Sequence, residues 1–79
     1  MDAEPDERLA ARSRDGDLAA FNALVERYER AVFNLCYRIL GHQQAAEDAA
    51  QEAFLSAYRA IHGFAGGNVR SWLLRIAAN

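Results

Sequence analysis

The chain has 79 residues, enough for one small domain with a single modest core and a thin margin of stability. Apolar residues make up 52% and charged residues 25%, with one proline, so the chain is expected to fold rather than remain disordered. The net charge of −2 excludes a uniformly basic surface, no run of eighteen apolar residues predicts a transmembrane helix, and the lone Cys36 excludes an intramolecular disulfide and fits a cytoplasmic location. The acidic start from Met1 to Asp6 lacks the basic residues of a secretory signal. The chain is rich in alanine and poor in β-branched residues, which favours helix over strand. The expected fold is all-α, a small bundle of three to four helices.

Asp6 to Arg14 sets Leu9, Ala10 and Ala11 among charges and predicts a short amphipathic helix. Asp15-Gly16-Asp17 is a turn signal, with Asp17 placed to cap the next helix. That second helix is expected from about Leu18 to Leu40. Phe21, Val25, Tyr28, Val32, Leu35, Cys36 and Ile39 form its apolar stripe, and Phe33, Tyr37 and Leu40 widen the arc enough for more than one neighbour. Cys36, flanked by Val32, Phe33, Ile39 and Leu40 on the helix, reads as a small core residue. Gly41 is a natural stop because it adopts positive φ without steric cost.

A third helix is predicted from Gln43 or Gln44 to about His62, its buried side formed by Ala46, Ala49, Ala50, Ala53, Phe54, Ala57 and Ile61, and closed by Gly63. Phe64 to Asn68 reads as a flexible loop because it contains Gly66-Gly67. A fourth helix starts near Val69, buries Val69, Trp72, Leu73, Ile76 and Ala77, and still runs at Asn79. With no C-terminal stop signal, the sequence is expected to be cut within that helix.

Charge changes along the chain. Residues 1–29 carry four arginines against eight acids, residues 30–52 two against three, and residues 53–79 hold Arg59, Arg70 and Arg75 with no acid. Two polar faces stand out. On the third helix, Asp48, Gln51, Glu52, Leu55 and Arg59 project away from the alanine stripe, with Leu55 in their midst. Such a face fits a partner helix, with Leu55 as apolar centre and Asp48 and Glu52 receiving basic side chains. It fits at least as well an ordinary solvated face with one stray leucine. On the fourth helix, Ser71, Arg75 and Asn79 fall at i, i+4 and i+8 after the glycine loop. Hydrogen-bonding groups there suit an extruded base or a sugar-phosphate strand, and equally an unremarkable surface beside a Trp-anchored core.

Three blocks resemble a known family. Ala46-Glu47-Asp48-Ala49-Ala50-Gln51-Glu52-Ala53-Phe54 is similar to the AEDxxQExF signature of extracytoplasmic-function sigma factors. Trp72 to Asn79 resembles that family's WLxRIAxN segment, and Gly16-Asp17 with Ala20-Phe21 and Leu24 to Tyr28 its GDxxAFxxLxxxY opening. The blocks stand in family order and spacing and span nearly the whole chain.

The resemblance implies a sigma region-two domain over residues 1–79, without the second domain that reads the minus-thirty-five element. It implies that Asp48, Gln51, Glu52, Leu55 and Arg59 dock on the beta-prime clamp helices of core RNA polymerase. It implies that the loop from Phe64 to Arg70 captures a base flipped from the non-template strand of the minus-ten element, with Asn79 helping to form the pocket. Phe64, Asn68, Ser71 and Arg75 are further candidate contacts and Arg70 a candidate phosphate contact, while Trp72 belongs to the core. An anti-sigma partner covering the same third-helix face is a further implication. No cofactor, metal or membrane partner is expected. Two departures from the family concern the loop, which is about one residue short, and Val69, which stands where an aromatic is common.

Two other functions compete for these residues. An enzyme lacks support, since His42 and His62 lie near opposite ends of the third helix and no nucleophile–base pair or phosphate loop stands out. A pure interaction bundle that binds polymerase or a regulator without reading DNA remains, distinguished by Asn79 and the loop.

Overall fold

Helix α1 (Asp6–Arg14) begins behind Pro5, whose carbonyl accepts from the N–H groups of Arg8 and Leu9 at 3.1 Å. Asp6 and Glu7 in its first turn and Arg12 and Arg14 in its last complement the helix dipole. The computed structural model describes residues 4–79; Met1 to Ala3, the start of the acidic N-terminal stretch, lie outside the described residues. α1 buries Leu9, Ala10 and Ser13, and the Ser13 hydroxyl is satisfied by donating to the Leu9 carbonyl at 2.8 Å. Of the apolar residues expected here, Leu9 and Ala10 are buried and Ala11 only partly so, while Ser13 joins them unexpectedly.

The turn Asp15-Gly16-Asp17 reverses the chain, with Gly16 at φ 95°. Asp17 caps α2 (Leu18–Leu40) by accepting from the Ala20 N–H at 3.2 Å, and its other oxygen takes the Arg12 guanidinium at 2.8 and 3.0 Å. α2 ends at Gly41, φ 67°, whose N–H returns to the Tyr37 carbonyl. Both boundaries fall where cap chemistry predicts them.

α3 (Gln43–Ala60) starts behind His42, whose Nδ1 accepts from the Ala45 N–H at 3.3 Å. It then tightens into a 3-10 turn, Ile61–Gly63, so the expected end near His62 divides into an α-helix and a tighter turn. α4 (Val69–Ala78) follows the loop, capped by Asn68. The described residues hold four α-helices and no strand, the all-α bundle expected.

α2 is the spine, packing against α1, α3 and α4. One core cluster gathers Leu9 and Ala10 of α1, Ala20, Phe21 and Leu24 of α2, Ala57 and Ile61, Phe64, and Val69 and Leu73 of α4. A second joins Val32 and Cys36 to Ala46 and Ala53, with Ala77 against it. Phe54 and Ile76 pack against both clusters and weld them into one interior. The alanines let α3 approach α2 closely.

The expected α2 stripe holds only to Cys36. Ile39 is 57% exposed, and Tyr37 and Leu40 are exposed beside it. Ile39 has the angular position of a core residue, but Cys36 is the last residue that α2 buries and the helix beyond it stays exposed. Leu24 and Ala20, absent from the predicted stripe, are fully buried instead because α1 and α3 close over that end.

Candidate nucleic-acid and protein interfaces

The loop after the 3-10 turn is built backwards from its aromatic floor. Phe64 is buried, with its ring centroid 5.0 Å from that of Trp72 at an interplanar angle of 52°. Its carbonyl accepts from the Arg14 guanidinium on α1 at 2.5 Å, fixing the head of the loop to an element fifty residues earlier. Gly66 and Gly67 then take φ of 108° and 95° in succession, a left-handed excursion that other residues resist. This delivers Asn68 to the start of α4, where its Oδ1 accepts from the Ser71 N–H at 2.8 Å.

The result is a cavity of about 250 Å³ lined by Gly63, Phe64, Ala65, Gly66, Asn68, Ser71, Trp72 and Arg75. Of the candidate DNA contacts, Phe64, Asn68, Ser71 and Arg75 are thus brought together. Phe64 serves mainly as a core residue, and only a small part of it reaches the cavity. Arg70 lies away from the cavity, close enough to Tyr28 for its charge to act on that phenol. Asn79 is on the Ser71–Arg75 face but at the far end of α4, outside the cavity lining, with its N–H on the Arg75 and Ile76 carbonyls. Val69, where the sequence departs from the family, is buried in the core and does not line the cavity.

The α3 face is the second site. Asp48, Gln51, Glu52, Leu55 and Arg59 are all exposed, and Leu55 is half so. Asp48 accepts from Gln44 one turn away at 3.2 Å, and none of the five forms an ion pair among the described residues. The face continues into a trough between α2 and α3. One part, about 430 Å³, is apolar and lined by Leu18, Phe21, Asn22, Val25, Gln51, Phe54, Leu55 and Tyr58. The other, about 780 Å³, shares Val25, Gln51 and Phe54 with it and adds the acids Glu26, Glu29 and Glu47. Leu18 and Tyr58, both about half exposed, were not among the sequence candidates. The signal for Tyr58 was its position three residues after Leu55, on the same face.

Four titrating groups are displaced from their ordinary values, among them Arg12, raised first by its hydrogen bond to Asp17. Asp17 is held low, first by the Arg12 hydrogen bond and then by the capped N–H of Ala20. Tyr28 is pushed up to about 12, first by desolvation and then by donating to the Asp6 carboxylate, which also binds Arg27 at 2.5 Å. Burial pushes the Cys36 thiol up, as befits a core residue. Among the described residues no three His, Cys, Asp or Glu side chains cluster as a metal site, and no helix is long and apolar enough to cross a membrane.

The sequence model of the Sigma-70 region 2 family matches residues 24–79. The chain is 43% identical over 77 residues to the RNA polymerase sigma-H factor of Pseudomonas aeruginosa, covering 96% of this chain and 40% of that protein. It is 45% identical over 67 residues to the extracytoplasmic-function sigma factor SigW of Bacillus subtilis, covering 84% of this chain and 36% of the relative. With the sigma-E factor of Escherichia coli it shares 43% over 75 residues, 94% of this chain and 39% of the relative. The chain therefore spans two fifths or less of the length of these relatives. An NMR structure of an engineered region 2 of sigmaE in complex with GTAAAA is similar over 100% of this chain and 84% of that one, with a TM-score of 0.93 and 40% identity. Family model, relatives and fold agree: the chain belongs to the sigma-70 region 2 family, in its extracytoplasmic-function branch.

Proposed function

We propose that this domain, residues 1–79, docks on core RNA polymerase and recognises and melts the minus-ten promoter element by capturing one base flipped from the non-template strand. The observation that carries the reading is the cavity at the head of α4. Hydrogen-bonding Asn68, Ser71 and Arg75 stand over an aromatic floor of Phe64 and Trp72, in a fold similar to one that binds GTAAAA. A flipped base loses its stacking, a cost of a few kcal/mol that contacts in a snug pocket must offset. Asn79 would act further along the same face, on the strand rather than inside the cavity, and Arg70 on phosphate.

Docking is assigned to Asp48, Gln51, Glu52, Leu55 and Arg59 against the beta-prime clamp helices. The apolar trough beside Leu55 supplies area, and acids that form no ion pair among the described residues supply complementarity to basic side chains. An anti-sigma factor covering the same face is part of the proposal. With only three arginines in residues 53–79, single-strand binding should be weak, and its log affinity should fall with log salt at a slope of about −2 or shallower. Tethering by polymerase then supplies the effective concentration.

The test uses the 79-residue chain. NMR titration with single-stranded GTAAAA should shift Asn68, Ser71 and Arg75 resonances while leaving α3 resonances in place. Immobilised core polymerase should retain the chain, and Leu55→Asp should weaken retention by on the order of ten-fold or more. A hexamer that shifts none of the cavity residues, with polymerase retention intact, would reduce the domain to a docking bundle without DNA readout. Tight sequence-specific binding of free duplex by the isolated chain would overturn the reading.

A further inference from the structure

We infer that Arg14 of α1 is a positioning residue for single-strand binding: through the Phe64 carbonyl it holds the loop in its binding shape, and it touches no nucleotide itself. The inference rests on the base-capture reading above. α1 packs on the 3-10 turn that precedes the loop, and Leu9 and Ala10 share a core cluster with Ile61 and Phe64. From that contact Arg14, partly buried in the last turn of α1, donates to the Phe64 carbonyl at 2.5 Å. Among the described residues Arg14 forms no ion pair and no other side-chain hydrogen bond, so this carbonyl is its one polar partner. Arg14 also lies ahead of residues 24–79, the stretch that the family model matches.

The loop depends on its two ends. Ala65, Gly66 and Gly67 are exposed, and their backbone makes no hydrogen bond to the rest of the described residues. Two successive glycines leave that stretch the widest conformational freedom a chain can have. The far end is fixed by α4 itself, where Asn68 accepts from the Ser71 N–H at 2.8 Å and from the Trp72 N–H at 3.1 Å. At the near end the Phe64 N–H donates to the Ile61 carbonyl at 3.1 Å, which holds the turn but not the loop. The Phe64 ring is packed on Trp72, yet a packed ring leaves the peptide plane between Phe64 and Ala65 free to rotate about ψ. The guanidinium fixes that plane, at a Phe64 ψ of 115°, with a charge-assisted bond stronger than a neutral one. A loop ordered beforehand loses less freedom on binding, and the saving appears as affinity.

The experiment compares the intact 79-residue chain with Arg14→Met for binding single-stranded GTAAAA over a series of salt concentrations; circular dichroism checks that the variant is folded. Arg14→Met should bind the hexamer more weakly by on the order of ten-fold, the size of one charge-assisted hydrogen bond. The slope of log affinity against log salt should not change, because no phosphate contact is removed. Without hexamer, NMR relaxation should show Gly66 and Gly67 more mobile in the variant, while retention on core polymerase is kept. An affinity equal to that of the parent overturns the inference and leaves base capture standing. So does a slope shallower by about 0.7, which would make Arg14 a phosphate contact instead. If the variant does not fold, the parent decides: its Arg14 guanidinium protons should exchange with water more slowly than those of exposed Arg38, and equal rates overturn the inference. A parent chain whose Asn68, Ser71 and Arg75 resonances respond to no hexamer overturns base capture, and the inference with it.

Discussion

Phe64 and Trp72 hold the cavity at the head of α4 from below: their rings meet at 5.0 Å between centroids, and the loop that frames the cavity hangs from the backbone of the first while α4 carries the second. Phe64 is 6% exposed and belongs to the larger core cluster. Phe64→Ala should therefore cost about 3 kcal/mol of stability, the lower end for deleting a buried phenylalanine. In a domain this small that is a large share of the total. Urea unfolding followed by circular dichroism gives the loss. Phe64→Leu should retain most of the stability yet weaken hexamer binding, because it restores volume without the aromatic face.

Asp17 joins two elements through one carboxylate, capping α2 at Ala20 and binding Arg12 of α1. Its pKa in the folded chain is lowered from 3.8, first by the Arg12 hydrogen bond. The sign follows from linkage: the unfolded state binds the proton more tightly, so the contribution is fully present above pH 3.8 and is lost as pH falls from there through the folded value. Asp17→Asn keeps a capping oxygen and removes the charge. The variant's urea midpoint should be lower than that of the parent near neutral pH and should converge with it at the acid end. A midpoint difference that persists unchanged below the folded value would count against the ion pair.

Much of this architecture was legible from the residues, and the parts that were not have identifiable causes. Caps are local chemistry, so Asp17, Gly41 and the start of α4 could be read directly. The blocks that resemble sigma factors also divide cleanly. Ala20, Phe21, Leu24, Ala46 and Ala53 are core, while Asp48, Gln51 and Glu52 are surface, so the same blocks supply both the scaffold and an exposed polar face. Ile39 was misread because periodicity gives the angle of a residue but not the length of the helices beside it. The cavity was only half visible. Asn68, Ser71 and Arg75 could be grouped by spacing, but the Arg14–Phe64 bond spans fifty residues, and nothing in local pattern announces it. Phe64 itself reads as part of a flexible loop, and its burial follows from the packing of Trp72 and the larger core cluster around it. Leu18 and Tyr58 were missed for a similar reason, since a trough belongs to two helices and each was projected alone.

Tyr28 adds a pH dependence at the alkaline end. Its hydroxyl donates to Asp6, which ties the start of α1 to the middle of α2, and its pKa is raised from 10.0 to about 12 by desolvation and by that carboxylate. A raised folded value means the contribution is complete below pH 10.0 and is lost as pH climbs toward about 12, where phenolate and carboxylate would face each other. Absorbance titration of tyrosine ionisation should show a step near pH 12 that is absent in Tyr28→Phe. The stability of Tyr28→Phe should in turn lose its dependence on pH across that window. Loss of that step in Tyr37→Phe instead would reassign it.

Leu55 sits on the exposed face of α3, apart from the interior. It is 50% exposed on α3 and touches the apolar trough, so removing it disturbs little of the interior. Leu55→Asp should leave global stability within about 0.5 kcal/mol, as surface substitutions do. If the α3 face meets core polymerase with Leu55 near its centre, the same change places a carboxylate against a desolvated surface and should weaken retention on polymerase by on the order of ten-fold or more. Gln51→Ala should weaken it less, through a lost hydrogen bond. Neither change should alter the NMR response of Asn68 and Arg75 to the hexamer, because the cavity and the trough share no lining residue. Arg75→Ala should show the converse pattern, with hexamer response lost and polymerase retention kept. Retention measured side by side for Leu55→Asp and Arg75→Ala decides the matter: equal losses would mean that one surface, not two, meets the polymerase–promoter complex.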